Sequence, residues 1–355
     1  MKLAIRTDSS NIIGTGHIIR CISLAKEFRK LGVKVYFISK PYKGNILKVV
    51  KKNKFYIKTI KTNLNISKDA DKTIKILKKL KIGLLIADSY TLNFDWEKKV
   101  KKHVKKLIVI NDLIKKTCCD VLINSNFLPD KLNSFKHLYK KKIIKETKIL
   151  LGSKYAVLDS KYYKLKKKIK PKKKIGKINI FFGGFQDSLN LIENAVDALS
   201  DKKLRQIKLD IVIGLNQKLS KRIIFKLTQR GNFKIFKNLS TLANLFKKAD
   251  LGIGCGGVAN SERLCLGLPS LVFIAAKNQE TLGEELSKKR IIIRLKMKKK
   301  EIDKKHLSNL VYKLKENKNL LNTMSKRGRL IVDGFGAKRI ANSVLNINKN
   351  KIKLL

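Results

Sequence analysis

The segment Arg6–Cys21 holds the residues of this chain that are best suited to chemistry. Gly14 and Gly16 stand just before His17, and Arg20 follows three residues later. Glycines adopt backbone angles closed to other residues and let a ligand approach the main chain closely. The unpaired N–H groups at a helix N-terminus favour an anion, and the same positive end disfavours a protonated imidazole. A neutral His17 at the start of a helix could therefore accept a proton.

This glycine turn differs from two well-known nucleotide-binding loops. It lacks the third glycine of the dinucleotide fingerprint, and no Gly-Lys-Ser/Thr follows as it does in a Walker loop. Many turns between a strand and a helix use glycine for steric reasons alone. The segment by itself therefore leaves both a catalytic and a purely structural role open.

The elements around the turn are predicted from apolar periodicity. Leu3–Ile5 is a short apolar run typical of a buried strand, and apolar residues recur at helical spacing over Ile18–Leu31. Similar alternation continues along the chain and predicts thirteen strands: Lys2–Arg6, Val33–Ile38, Phe55–Ile57, Gly83–Asp88, Lys106–Asn111, Val121–Asn124 and Lys148–Leu151 in a first series, then Ile178–Phe182, Leu209–Gly214, Phe233–Phe236, Leu251–Gly254, Ser270–Ile274 and Ile291–Leu295.

Continuous apolar strands that alternate with amphipathic helices indicate parallel sheets covered on both faces. We therefore predict an α/β protein with two Rossmann-like domains facing across a cleft. The first domain is expected at 1–160 and the second, with the terminal helices, at 178–355. The lysine-rich segment 161–177 shows no clear apolar face and is predicted to be a linker.

Composition narrows the function classes further. The 355 residues include 83 Lys and Arg against 26 Asp and Glu, a formal net charge of +57. This excess lies on all polar helical faces and does not alternate with aromatic residues, so no specific nucleic-acid binding is expected. Weak association with anionic membranes and steering of acidic substrates fit the charge better.

The remaining composition points to a protein of the cytoplasm, which we expect to be a monomer. No apolar run reaches the roughly 18–20 residues that span a bilayer, and the N-terminus enters a strand without a signal-peptide core. The five cysteines lack C-x-x-C spacing, which favours reduced, buried thiols over disulfides or a metal site.

Further glycine pairs follow strands in the second half of the chain. Gly256 and Gly257 precede a helix that carries Glu262, a pattern suited to a diphosphate at the helix N-terminus and a ribose on the carboxylate. Glu262 could equally be an acid that only stabilises the start of its helix. Gly183 and Gly184 could lie near phosphates or simply turn the chain.

Polar residues also follow strands of the first half. Tyr90 comes just after Asp88 and Ser89, so its hydroxyl could reach a cleft, although a tyrosine there could equally be a core residue with a solvated tip. The pair Asn111 and Asp112 could line the same edge or serve as turn residues.

In combination these segments resemble the UDP-sugar hydrolases of pseudaminic acid biosynthesis, which act on a UDP-linked 2,4-diacetamido-2,4,6-trideoxy sugar. The resemblance covers nearly the whole chain. It is carried by Arg6–Cys21, Asp88–Tyr90, Cys119–Asn124, Gly152–Leu158, Phe182–Gly184, Gly256–Glu262, Gly267–Ser270, Asn278–Glu280 and Asp333–Arg339.

The resemblance implies the GT-B fold and hydrolysis of the bond between C1 of the sugar and UDP with inversion, without a metal or another cofactor. It implies that His17 activates water. Residues implied on the substrate side are Asp8, Gly14, Gly16, Arg20, Tyr90, Asn278 and Gln279. Those implied to bind UDP are Gly183, Gly184, Gly256, Gly257 and Glu262.

The chain departs from the family pattern at two places. Asp159 stands where the family usually carries a basic residue, and Phe185 and Gln186 stand where serine and aspartate are usual. Two other functions remain open. One is a glycosyltransferase on the same fold that passes the sugar from UDP to an acceptor, and the other is a non-catalytic protein that binds nucleotide sugars or polyanions.

Overall fold

The structure is a computed structural model. It describes residues 1–126, 137–139, 142–144, 146–169, 174–185, 187–214, 217–237, 239, 241–276, 279–295, 297–298 and 301–346. The chain forms two compact units, one of residues 1–159 with 334–355 and one of residues 160–333.

The first unit is built on a seven-stranded sheet in which all neighbours run parallel. The strands are β1 Lys2–Thr7, β2 Lys34–Ser39, β3 Tyr56–Thr59, β4 Leu84–Asp88, β5 Lys106–Ile110, β6 Val121–Asn124 and β7 Lys148–Leu151. Their order in the sheet is β3-β2-β1-β4-β5-β6-β7, so the sequence-distant strands β1 and β4 lie side by side.

Helices cover both faces of this sheet, which is why its central strands are apolar on both sides. Ile5 and Ile86 belong to one core cluster, and Ala4 and Leu85 belong to another that contains Trp96. The helices between these strands are α1 Gly16–Lys30, α2 Leu47–Lys52, α3 Ile66–Leu80 and α4 Phe94–Lys101.

The second unit repeats the arrangement with a six-stranded parallel sheet of order β10-β9-β8-β11-β12-β13. Its strands are β8 Lys177–Ile180, β9 Lys208–Val212, β10 Phe233–Phe236, β11 Leu251–Cys255, β12 Ser270–Phe273 and β13 Ile293–Leu295, and a small antiparallel pair follows, β14 Met297–Lys298 and β15 Glu301–Ile302. Its helices are α5 Ser160–Lys166, α6 Ser188–Leu199, α7 Lys221–Arg230, α8 Ala243–Lys248, α9 Val258–Cys265, α10 Glu280–Lys288, α11 Lys304–Leu314 and α12 Lys318–Ile331.

The last described helix, α13 Gly336–Val344, returns to the first unit. Ile340 and Val344 are buried in the core cluster that also holds residues of α1. A Cβ on Gly336 would lie 2.1 Å from the carbonyl oxygen of Ala156, so the chain enters the helix at a point where only glycine fits. The sequence analysis placed the terminal helices in the second domain, whereas the contacts of α13 group it with the first.

The predicted linker also differs in part from the structure. Its first residues lie in helix α5, which belongs to the second unit and buries Tyr162 to 1% exposure. A single buried tyrosine among lysines gives too weak a periodicity to mark this helix in the sequence.

The thirteen predicted strands are all present, and the fold class of two parallel α/β units is confirmed. The pair β14 and β15 was not predicted. All five cysteines are free and buried. Within the described ranges, no helix combines the length and the apolar character needed to cross a membrane.

Candidate functional site

The strand order brings polar residues of the first unit together at one edge of its sheet. Asp8 follows β1, Asp88 ends β4 and Asp112 follows β5, while α1 begins at Gly16 near the end of β1. In doubly wound sheets the order reverses between two neighbouring strands, and ligands bind outside the carboxyl ends of the strands at that point. Here the reversal lies between β1 and β4.

His17 and Asp88 form the central pair at this edge. The Nδ1 atom of His17 lies 2.7 Å from Oδ1 of Asp88, and the Arg20 guanidinium lies 3.3 Å from the same nitrogen. Arginine can only donate, so the shorter contact indicates that Nδ1 carries a hydrogen and donates it to the carboxylate. In that tautomer Nε2 is the acceptor, and it has no partner among the residues that the structure describes.

Arg20 clamps two carboxylates at the base of the site. Its Nε and a terminal nitrogen donate to Asp88 at 2.7 and 2.5 Å, and the other terminal nitrogen donates to Oδ2 of Asp112 at 2.7 Å. Burial opposes the charge of Arg20, but Asp112 and Asp88 outweigh it and raise the pKa of the guanidinium well above its usual value. Burial likewise opposes ionisation of Asp88, but Arg20 and His17 outweigh it and hold the pKa of the carboxyl far below its usual range. Asp88 is therefore ionised at neutral pH.

Tyr90 stands beside the histidine. Its ring meets the imidazole edge-to-face with a centroid distance of 4.5 Å, and its hydroxyl donates to Asp112 at 3.3 Å. The side chain is 42% exposed, so the sequence alternative of a core tyrosine does not apply. Tyr90 and Asp112 also line a cavity of about 200 Å³ whose walls include Leu92, Phe94 and Glu97.

Asp8 is engaged in holding the strand ends. Its Oδ1 accepts hydrogen bonds from Arg6 at 2.6 Å, from the Ser39 hydroxyl at 3.2 Å and from the Lys40 N–H at 2.7 Å. The residue is 2% exposed. These contacts show that Asp8 stabilises the ends of the strands. Its contact with substrate stays a prediction.

The glycines of the first turn differ in conformation. Gly14 has a φ of +80° and pairs with Ser10 in an isolated bridge, so its position requires glycine. Gly16 is the first residue of α1 and His17 the second. His17 is therefore placed in the first helical turn, as predicted, with 7% of the residue exposed.

In the second unit the glycine pairs follow two neighbouring strands at the reversal between β8 and β11. Gly183 has a φ of +109° and Gly257 a φ of +78°. Gly257 directly precedes α9, and Glu262 lies within that helix, 8% exposed. This unit thus repeats the strand–glycine–helix geometry of the first, with a carboxylate one turn inside the helix.

Gln279 lies against the same turn. A Cβ on Gly256 would be 2.6 Å from its Oε1 atom, so a larger residue there would displace the amide of Gln279. Asn278 lies outside the described residues, and its predicted contact with the sugar stays a prediction.

The sequence analysis selected His17, Arg20 and Tyr90, and the structure brings these three together. It treated Asp88 and Asp112 only as parts of polar strand ends, yet their carboxylates hold all three. The sequence did offer a signal for these two aspartates, because both stand at the carboxyl ends of predicted parallel strands. Arg263, a buried arginine directly after Glu262, gave no signal at all.

Comparison with known proteins is consistent with this architecture. Residues 179–344 match the family model described as the glycosyltransferase family 28 C-terminal domain. The chain is 28% identical over 81% of its length to a UDP-2,4-diacetamido-2,4,6-trideoxy-beta-L-altropyranose hydrolase of Campylobacter jejuni, covering 97% of that protein. It is also 28% identical over 81% of its length to an uncharacterized protein of Methanocaldococcus jannaschii, but the match spans only 59% of that longer protein.

Solved structures show the same fold. The crystal structure of MurG from Acinetobacter baumannii matches with a TM-score of 0.64 at 14% identity, covering 98% of this chain and 100% of that one. The predicted GT-B fold class, with two parallel α/β units, is confirmed by this likeness.

Proposed function

We propose that this chain hydrolyses a UDP-linked 2,4-diacetamido-2,4,6-trideoxy sugar at C1, as part of nonulosonate biosynthesis of the pseudaminic acid type. The observation that carries the proposal is the pair of His17 and Asp88, 2.7 Å apart, with the ring nitrogen Nε2 left to act as a base. The similarity to the Campylobacter hydrolase supports the choice of substrate.

In the proposed reaction Nε2 of His17 takes a proton from water as the water oxygen attacks C1. The bond between C1 and the oxygen of the β-phosphate breaks, and its electron pair leaves with the diphosphate. The products are UDP and the free sugar with the opposite anomeric configuration. General-base assistance of this kind contributes roughly 10²–10⁴-fold to a rate.

The remaining residues have roles that follow from their chemistry. Asp88 would orient the imidazole and stabilise it once protonated, as carboxylates do for catalytic histidines. Arg20 and Tyr90 of the first unit are proposed sugar contacts, and Asn278 and Gln279 of the second unit are proposed sugar contacts as well. The N-terminus of α9, with Gly256 and Gly257, would hold the diphosphate, and Glu262 would accept the ribose hydroxyls. Gly183 and Gly184 would approach the phosphates.

The test is to incubate the pure protein with this UDP-sugar without any acceptor and to follow UDP and the product anomer by NMR. We expect UDP and an inverted free sugar. His17→Gln should lower kcat by roughly 10²–10⁴-fold, while His103→Gln, which changes an exposed histidine of the same unit, should not alter it.

Other outcomes would favour the two alternatives. Release of UDP only when an acceptor sugar is added would identify a glycosyltransferase. Binding of the UDP-sugar that is unaffected by His17→Gln, with no turnover under either condition, would identify a binding protein.

A further inference from the structure

Arg263 of α9 is a buried cation without a carboxylate partner in an ion pair within the described residues. It is 0% exposed. One terminal nitrogen donates to the carbonyl oxygen of Cys255 at 2.6 Å and lies 3.5 Å from Oδ1 of Asn260. The Nε and NH1 atoms have no hydrogen-bond partner in the part of the chain that the structure describes. By contrast, the buried Arg6 and Arg20 of the first unit both contact carboxylates.

Strand β11 makes room for this side chain. A Cβ on Gly252 would lie 2.6 Å from Cδ of Arg263. A Cβ on Gly254 would lie 1.9 Å from the carbonyl oxygen of Phe181 and 3.0 Å from NH1 of Arg263. Glycine inside a strand weakens the sheet because it has no side chain to pack. Gly252 therefore leaves space that is filled by the arginine side chain, while Gly254 is required mainly by the neighbouring backbone of Phe181.

The guanidinium lies directly behind the second glycine turn. Its partner Cys255 is the last residue of β11, Gly256 and Gly257 follow, and α9 begins at the next residue. The Oε1 atom of Gln279, which packs over Gly256, is a second buried polar atom without a partner among the described residues. Arg263 and Gln279 thus each place a buried polar atom without a described partner beside the segment 254–256, where β11 ends and the turn begins.

The electrostatics of the turn favour an anion. Burial lowers the pKa of Arg263 to about 10, against the effects of Cys255 and Glu262, so the group remains a cation at neutral pH. Burying a charge away from water costs free energy unless an opposite charge lies close to it. The attraction between opposite charges is strong where water is excluded. A helix N-terminus in front of the same cation adds its own unpaired N–H groups.

We propose that Arg263 is the fixed cation of a pyrophosphate site at the Gly256–Gly257 turn, where it stabilises bound phosphate through its charge and holds the end of β11 in the binding geometry. The ligand class is a pyrophosphate, either free or within a nucleoside diphosphate. The identification of the nucleoside as uridine rests on the function proposed above, whereas the phosphate part rests on the contacts of Arg263 alone.

Arg230 provides a matched control in the same unit. It is 5% exposed, and burial lowers its pKa to about 10, with Arg205 adding to the effect. It donates to the carbonyl oxygens of Leu199, Leu204 and Ile207, and it precedes β10, at the amino edge of the sheet. Loss of either arginine should cost stability, but only Arg263 lies at the glycine turn.

The experiment measures dissociation constants for UDP, inorganic pyrophosphate and uridine by calorimetry, with wild type, Arg263→Met, Arg263→Lys and Arg230→Met. We expect Arg263→Met to weaken binding of UDP and pyrophosphate by about 10- to 100-fold, because the bound phosphates would lose the attraction of a positive charge held where water is excluded. Uridine binding should change less than about twofold, since it carries no phosphate charge. Arg263→Lys should fall between wild type and Arg263→Met, and Arg230→Met should bind all three ligands as wild type does.

The outcomes separate this inference from the proposed function. Equal losses for UDP and uridine, or no loss for UDP, would overturn the inference and leave the proposed function standing. Binding of pyrophosphate that depends on Arg263, without any binding of UDP, would keep the inference and remove the proposed function. Failure of the wild type to bind either ligand would remove both. If Arg263→Met does not fold, as judged by circular dichroism, the same comparison is made with Arg263→Lys, and unchanged UDP affinity in that variant would then contradict the inference.

Discussion

At the scale of single residues, Asp88 couples the charge of the site to the stability of the first unit. Its carboxylate accepts from His17, from two nitrogens of Arg20 and from the Cys21 thiol at 3.2 Å. The site is therefore built around one ionised group that is itself fully buried.

We expect Asp88→Asn to lower the free energy of unfolding at pH 7 by about 3 kcal/mol, because it leaves part of the Arg20 charge buried and unpaired. The pKa of Asp88 is lowered in the folded state, so its ionised form stabilises the fold above the usual aspartate pKa of about 3.9. This stabilisation is lost as the pH falls toward the folded-state value. The stability difference between wild type and variant should therefore narrow below about pH 4, as urea unfolding at a series of pH values would measure.

Asp95→Asn is the control for this pH series, since it changes an exposed aspartate of α4. It should alter the unfolding free energy little at any pH. A difference between wild type and Asp88→Asn that stayed constant down to about pH 3 would contradict the assigned ionisation.

At the scale of elements, the end of β1 is held by a buried cluster that reaches into α3. Asp69 of α3 accepts from Arg6 at 2.8 Å and from the indole N–H of Trp96 at 2.9 Å, and it pairs with Lys40 at 3.1 Å. Burial opposes its ionisation, but Arg6 and Lys40 outweigh it and lower the pKa of Asp69. Because Arg6 also binds Asp8, this cluster fixes the segment that leads into the glycine turn.

Asp69→Ala should destabilise the protein by about 3–5 kcal/mol, because it removes one partner from two buried cations. Asp71→Ala on the same helix is the matched control. Asp71 pairs with Lys99 at 2.7 Å, but its side chain is 56% exposed, so its loss should cost at most about 1 kcal/mol. Chemical denaturation followed by circular dichroism measures both. Equal effects of the two substitutions would contradict the role of the buried cluster.

The local parts of the site could be predicted from the sequence, but their pairing could not. The turns around His17 and Gly256 follow from glycines placed between an apolar run and a helical pattern. The contact of His17 with Asp88 spans 71 residues and depends on β1 lying beside β4, a strand order that local patterns do not encode. Arg263 was missed for another reason, since a lone arginine inside an amphipathic helix normally predicts a solvated face.

At the scale of the whole molecule, the first unit is assembled from two separate stretches of chain. Helix α13 buries Ile340 and Val344 against α1, and the Lys106 ammonium donates to the carbonyl oxygen of Val344 at 2.8 Å. The sequence analysis assigned this helix by its position in the chain, and position alone cannot show that a helix returns to an earlier sheet.

Ile340→Ala should lower the stability of the first unit by about 2–5 kcal/mol, the range for truncating a buried aliphatic side chain. The chain has one tryptophan, Trp96, which is buried in that unit and reports its unfolding by fluorescence. Lys338→Ala, an exposed change on the same helix, should shift the transition by no more than about 0.5 kcal/mol. If the two variants unfolded alike, the packing of α13 on α1 would be contradicted.

The return of α13 also affects how the protein emerges during synthesis. The ribosome delivers all of residues 160–333 before it delivers Gly336–Val344. The second unit can therefore fold while the first still lacks the helix that covers α1, and the apolar face of α1 stays open to other chains for that interval. A chain released before Gly336 would contain the whole of the second unit and would still expose the apolar residues of α1 that α13 covers.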